Sequence, residues 1–276
     1  MKSAPVHRCR VYRTPWAGAY GTHVESGVHY GKHFHATFGM GVVERGAQRS
    51  ASGRGQVEAF AGDVVATNPG EVHDGRPLGG ASRRWRMVYF EPEVLASFAG
   101  SSGFEISRAV ISDPLLATAL RELFARLDRW EVAAGNKAAE ALACDESLAA
   151  AFAMLIAGHA AAASPQHASA EVSRIRERLG DALEAPPSLQ ELADMSGLSR
   201  YQVLRRFQQA HGLAPHAWVL QQRSDRARHL IRRGYSLAHA AAAAGFADQS
   251  HMTRAFKQRY GFTPGAWRQV CNSVQD

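Results

Sequence analysis

The sequence predicts a multidomain α+β protein, with an N-terminal antiparallel β-barrel followed by helices and an all-α C-terminal part of two helix-turn-helix units. Three observations predict it. Short apolar runs separated by turn residues fill about 20–92, helical spacing takes over near 112, and residues 188–267 hold an internal repeat. A length of 276 residues accommodates about two domains at roughly 100–200 residues each.

The β-zone comes first. ATFGMGVVE, QVEAF, DVVATN and WRMVYF are separated by ERGAQ, SGRGQ, NPGEVHDG and PLGGAS. Strands this short, with turn signals this frequent, predict an antiparallel sandwich or barrel. At Asp113-Pro114 a cap is followed by proline in the first turn. Leu116, Leu120, Leu123, Phe124 and Leu127 then recur at three- and four-residue spacing, an amphipathic helix over 114–127. A second helix is expected around 145–162. Its core, SLAAAFAMLIAGHAAAA, barely reaches the roughly 20 residues a membrane span needs, so a buried or partner-facing helix is expected and no membrane association. ASPQHASA, small and polar, reads as a linker at 163–170. The boundaries are thus 1–110 for the ligand-sensing barrel, 111–162 for a helical dimerisation segment, and 171–276 for the C-terminal domain.

Charge separates the two halves. From Glu171 onward there are 15 Lys/Arg against 9 Asp/Glu, and the first 170 residues have 17 against 16. Between 199 and 268, 12 basic side chains face only Asp225 and Asp248. Solvated helix faces ordinarily interleave carboxylates with arginines, so this excess points to a polyanion. Cys9, Cys144 and Cys271 are odd in number and scattered, which fits a reducing cytoplasm and argues against a disulfide framework. MKSAPVHRCRVYRTP has no apolar h-region, so no signal peptide is expected.

The repeat carries the most information. SLQELADMSGLSRYQVLRRFQQAHGLAPHAW (188–218) lies on SLAHAAAAAGFADQSHMTRAFKQRYGFTPGAW (236–267) with one residue inserted in the turn. In each copy a serine (Ser188, Ser236) caps a short helix and a glycine (Gly197, Gly245) ends it in the left-handed conformation. A second cap, Ser199 or Asp248, starts the next helix. Val203, Leu204 and Phe207 anchor the second helix of the first copy; Met252 and Phe256 anchor that of the second. The opposite faces carry Arg200, Tyr201, Gln202, Arg205 and Arg206 in one copy, and Gln249, Ser250, His251, Arg254, Lys257 and Arg259 in the other. Gln and Arg make bidentate hydrogen bonds to base edges, while Lys and peripheral Arg suit phosphates. HAWVLQQRSDRARHLIRR (216–233) reads as one connecting helix with Trp218, Leu220, Ala227, Leu230 and Ile231 inward. Roughly 24 Å of helix, plus the width of the units, would set the two readers about one DNA turn apart.

GFADQSHMTRAFKQRYGFTPGAWR closely resembles the signature of the AraC/XylS family of bacterial transcription regulators, and the likeness extends over about 171–270. It implies a seven-helix DNA-binding domain. On the matching positions it implies Tyr201, Gln202 and Arg205, and Gln249, Ser250, His251 and Arg254, as base-contacting residues. Arg200, Arg206, Lys257 and Arg259 are the phosphate candidates. An Ala-rich helix stands before Gly245, where the family often has Ile and Val, and Trp267 stands where Tyr is common.

In the front half, HFH (33–35) and PGEVH (69–73) resemble the two motifs of cupin barrels, which bind a metal in enzymes. The Glu of the first motif is absent, with Phe38, Gly39 and Met40 in its place, so a cupin-like sensor without metal or cofactor is expected. The ligand-pocket candidates are His33, His35, Thr37, His73, Trp85, Met87 and Tyr89. The Leu stripe of 114–127 has two readings, a face for a second subunit or packing on the chain's own barrel. The combined expectation is a cytoplasmic, homodimeric regulator without catalytic residues, binding double-stranded operator DNA, a small-molecule effector and RNA polymerase. The competing expectation is a metal-dependent cupin enzyme fused to a DNA-binding module.

Overall fold

A computed structural model describes residues 5–53, 55–99, 103–133, 135–162 and 169–272. The expected linker lies mostly outside these residues. The chain forms two compact units, one of residues 1–29 and 35–164 and the other of residues 30–34 and 165–276.

The front half contains strands β1 (His7–Arg13), β2 (Ala19–Ser26), β3 (Tyr30–His33), β4 (Phe38–Arg45), β5 (Ala47–Ser52), β6 (Gly55–Phe60), β7 (Val64–Thr67), β8 (His73–Pro77) and β9 (Arg83–Phe90). Helix α1 (Pro92–Ala99), the short strands β10 (Phe104–Ile106) and β11 (Val110–Ile111), helices α2 (Pro114–Val132) and α3 (Lys137–His159), and β12 (Ala160–Ala162) complete it. One sheet has the order β1-β2-β9-β4-β7-β11 and a second the order β3-β8-β5-β6. β1 has no counterpart in the sequence reading, because HRCRVYR places charges on the exposed side of its alternation.

The six-stranded sheet is buried on both faces, which is why β4 reads as a continuous apolar run. Phe38, Met40 and Val42 pack with Val64, Ala66, Val88 and Phe90 against Leu116, Leu120, Leu123, Leu148 and Phe152 of α2 and α3. On the other face Val43, Val65 and Met87 meet Ala59 of the second sheet. Gly39 belongs to that inner face. A Cβ there would lie 2.6 Å from Thr67 Oγ1 and 3.0 Å from the Tyr89 ring, so only glycine lets the strands close up.

Asp113 caps α2 as its sequence predicts, accepting from the Leu115 and Leu116 amides ahead of Pro114. The helix runs one and a half turns past the predicted end, to Val132. Its Leu stripe is consumed inside the chain: Leu116, Leu120, Leu123 and Leu127 are wholly buried. That corrects the reading in which this stripe faces a second subunit. α3 is also longer than predicted, and among the described residues it alone is long and apolar enough to cross a membrane by length and composition. Its Cys144, Leu148, Ala151, Phe152 and Leu155 are buried in the chain's own core.

The sheet is tied to α2 by Arg86. Its Nη1 and Nη2 donate to both carboxylate oxygens of Asp128, at 2.8 and 2.5 Å, and its Nε donates to the Tyr12 hydroxyl at 2.9 Å. The guanidinium also lies over the Phe124 ring.

The back half is helical: α4 (Ala170–Asp181), α5 (Leu189–Ser196), α6 (Arg200–His211), α7 (Pro215–Arg232), α8 (Leu237–Ala243), α9 (Gln249–Tyr260) and α10 (Pro264–Asn272). These are the seven helices implied by the resemblance. α7 starts on Pro215, and its buried side is partly polar: Gln221, Ser224, Asp225 and Arg228 lie alongside Trp218, Ala227 and Ile231. Leu220 and Leu230, expected inward, are only half-buried.

Candidate nucleic-acid interface and barrel interior

Each helix pair is fixed by the caps its sequence encodes. Ser188 and Glu191 form a reciprocal capping box at α5, and Gly197 ends that helix at φ 67°. Ser199 and Gln202 form a second box at α6, which ends on Gly212 at φ 70°. In the second unit Ser236 caps α8, Gly245 turns the chain at φ 84°, and Asp248 caps α9 by accepting from the His251 amide at 2.6 Å. A Cβ at Gly245 would also approach the Leu183 carbonyl oxygen to 2.6 Å.

One face of each second helix is held down. Val203 and Phe207 are buried in α6, with the Phe207 ring edge-on to Trp218. Leu204 is 38% exposed, which removes it from the predicted anchors. In α9, Met252, Ala255, Phe256 and Tyr260 are buried. The outward faces carry no carboxylate: neither RYQVLRRFQQAH nor QSHMTRAFKQRY contains Asp or Glu.

Among the base candidates, Tyr201, Gln202, Arg205, Gln249, Ser250 and Arg254 are exposed. Tyr201 is 70% exposed, unusual for an aromatic side chain with nothing to cover it. Two candidates have additional roles. Gln202 accepts the Ser199 amide through Oε1, leaving its amide N–H groups to face outward. The His251 ring is half-buried, with its ring edge-on to Phe246 at 5.3 Å. Among the phosphate candidates Arg200, Arg206 and Lys257 are exposed. Arg259 turns inward instead, its Nη1 donating to the Ala255 carbonyl at 2.9 Å.

The polar stripe of α7 escaped the sequence reading. Asp225 is 7% exposed and accepts from the Tyr260 hydroxyl at 2.5 Å and from Gln221 Nε2 at 3.3 Å. Burial raises its carboxyl above the ordinary range, partly opposed by Arg228 and Tyr260. The Trp267 indole N–H donates to the Arg228 carbonyl at 3.0 Å. The spacing 221, 225, 228, shared with Trp218, was the available signal, since it puts these polar groups on the helix's core side.

In the front half, cross-strand pairing places Thr22 opposite Met87, and Gly39 opposite both Tyr89 and Thr67. Directly paired residues share a sheet face, so these groups line the inner side with Met87. Thr22, Thr37 and Thr67 each have a buried hydroxyl with no hydrogen-bond partner among the described residues. Tyr89 stacks on Tyr20 at 4.9 Å and meets His35 edge-on at 5.3 Å. Trp85 lies under the Arg83 guanidinium at 4.7 Å. His35 and His73 have ring centroids 5.3 Å apart. Burial lowers the His73 imidazole below its ordinary value, partly opposed by Glu71 and Asp74.

The profile of the AraC-like ligand binding domain matches residues 19–152, and that of a helix-turn-helix domain matches 192–270. The HTH-type transcriptional regulator YbfI of Bacillus subtilis is 25% identical over 228 residues, covering 80% of each chain. The HTH-type transcriptional activator RhaS of Escherichia fergusonii is 30% identical over 105 residues, 38% of each chain. Among solved structures, unsaturated fatty acid bound ToxT from Vibrio cholerae covers 100% of both chains at a TM-score of 0.50 and 12% identity, a likeness of fold alone.

Proposed function

Because the chain belongs to the AraC family of transcriptional regulators, and is a regulator rather than an enzyme, we propose that α6 and α9 are its two operator-reading helices. The observation that carries this is the pair of capped, core-anchored helices whose outward faces hold Arg, Gln, Tyr and Lys and no acid. Arg205 and Arg254 are assigned to base edges, with Tyr201, Gln202, Gln249 and Ser250 beside them, and His251 at the edge of the surface. Arg200, Arg206 and Lys257 are assigned to phosphates. Arg259 is given a structural role because its guanidinium caps its own helix.

The barrel interior is proposed as the effector site. Thr22, Thr37 and Thr67 offer buried hydroxyls that a ligand's polar groups would satisfy, beside the apolar Met87 and the aromatic Tyr89 and Trp85. That ToxT was solved with a fatty acid bound supports a ligand in this kind of fold. An effector that prefers one conformational state shifts the population able to hold operator DNA or engage RNA polymerase. The protein is assigned to the cytoplasm. A homodimer is proposed through the outer side of α3, where Ala149, Ala150, Ala153 and Ala157 are exposed.

Operator selection from a genomic fragment library tests the DNA assignment. A recovered motif whose affinity falls in Arg205→Ala and Arg254→Ala supports it; equal retention of all fragments contradicts it.

A further inference from the structure

The outward face of α6 holds two large side chains whose apolar surface is not used by hydrogen bonding to base edges. Tyr201 is 70% exposed and Leu204 is 38% exposed, whereas among the described residues α9 exposes no large apolar side chain. Three positions apart on a helix, the two are surface neighbours. The repeat sets Arg205 on Arg254, and with the same offset Tyr201 falls on Ser250 and Leu204 on Thr253. Where α6 presents apolar groups, α9 thus presents hydroxyls. The Thr253 hydroxyl is engaged within its own helix, donating to the Gln249 carbonyl at 2.8 Å.

Apolar side chains held out to water gain free energy only when an apolar group covers them. The surroundings select what that group belongs to. Arg200, Arg205 and Arg206 are exposed around the pair, and α6 contains no carboxylate. Such a setting favours a polyanion that carries methyl groups over an apolar protein surface. The major groove of duplex DNA displays one such group, the C5 methyl of thymine. Leucine has no side-chain donor or acceptor, so a base edge facing Leu204 without a methyl group would leave polar atoms unpaired. Tyr201 and Leu204 are separated by about 4.5 Å along the helix, near the roughly 3.4 Å between successive base pairs. The pair therefore spans neighbouring steps of the duplex.

We propose, resting on the assignment of α6 as an operator reader, that Leu204 and Tyr201 read the C5 methyl groups of one or two adjacent thymines. Leu204 is then a specificity-determining residue, and Arg205 supplies the hydrogen bonds beside it. The two half-sites are read by different chemistry: α6 combines methyl contact with hydrogen bonding, and α9 relies on Gln249, Ser250 and Arg254.

The test uses the full chain and its selected operator, with deoxyuridine replacing each thymine in turn. Each replacement removes one methyl group and leaves base pairing intact. The half-site of α6 is the one whose protection Arg205→Ala removes. There, replacement at one or two positions should weaken wild-type binding by about fourfold each, the worth of one buried methyl group. Leu204→Ala should bind the thymine operator more weakly and stop distinguishing thymine from deoxyuridine at one of those positions. Both changes together should cost no more than the larger one alone. In the other half-site, replacements should cost Leu204→Ala and wild type the same. A merely structural Leu204 would instead lower affinity for both operators equally. Deoxyuridine tolerated throughout the α6 half-site, a half-site without thymine, or discrimination retained at every position in Leu204→Ala overturns the proposal while leaving α6 a reader. Unchanged affinity of Leu204→Ala for both operators overturns it in favour of a protein contact. If Arg205→Ala removes neither half-site, the reader assignment fails and the proposal with it.

Discussion

The Tyr260 hydroxyl donates to the buried Asp225 carboxylate at 2.5 Å, joining the last residue of α9 to the middle of α7. Helix α9, the proposed second reader, is thus oriented by the connecting helix through a polar contact, while its Phe256 and Met252 are buried. Tyr260→Phe removes one donor from a buried acceptor, at a cost of about 1–3 kcal/mol. The expected result is a lower melting temperature, with DNA affinity falling more on the half-site read by α9 than on the other. Calorimetry and half-site competition check the two parts separately.

Asp225 also gives stability a pH dependence. Its folded carboxyl is raised above the unfolded value by burial. A raised group contributes stability that is fully present below the unfolded value, near 3.9, and is lost as pH rises through the folded value. Asp225→Asn should therefore raise the melting temperature most at neutral and alkaline pH, and least near pH 4. Melting curves across that range check the sign.

Asp128 behaves oppositely. The Arg86 guanidinium beside it holds its carboxyl below the ordinary range. Its contribution is present above the unfolded value near 3.9 and fades as pH falls through the lower folded value. Arg86 is 10% exposed but Asp128 is 51% exposed, so solvent screening reduces the pair to about 1–2 kcal/mol. Asp128→Ala should lower stability by that amount at pH 7 and by little below pH 3, as measured by urea unfolding.

Gln202 serves both a cap and a proposed base contact, and the two are separable. Gln202→Glu keeps an oxygen for the Ser199 amide, so helix stability should hold within about 0.5 kcal/mol. Replacing the amide donors with a negative charge should nevertheless weaken operator binding at all salt concentrations. Gln202→Ala loses the reciprocal bond as well and should lower both stability and affinity. Thermal melts beside titrations of operator DNA check the contrast.

The sequence was most informative where a residue's role is local. Ser188, Ser199, Ser236 and Asp248 cap the helices their positions announce, and Gly197 and Gly245 take the left-handed turns. Long-range pairing was less legible. β4 looks like one apolar run because the sheet has covered faces on both sides, and no spacing rule tells which helix covers one of them. The Leu stripe of α2 was equally suited to a partner or to its own sheet until the packing decided it. The polar α7 stripe was hidden because Gln, Ser, Asp and Arg are usually surface residues, and one of the donors that make Asp225 tolerable inside, Tyr260, lies 35 positions away.

The division between base and phosphate contacts is open to direct comparison. Arg254→Ala should cost on the order of 1–3 kcal/mol and relax preference at one base position. Lys257→Ala should weaken all sequences alike and lower the salt slope by about one. Affinities over a randomised operator library at several salt concentrations check both.

The most direct test of the central claim is a hydroxyl-radical footprint of the full chain on its selected operator in excess competitor DNA. Two reading helices predict two protected segments on one face of the duplex, about 10 base pairs apart, with Arg254→Ala losing one segment and Arg205→Ala the other. A single segment, or protection that competitor DNA erases uniformly, would contradict the account.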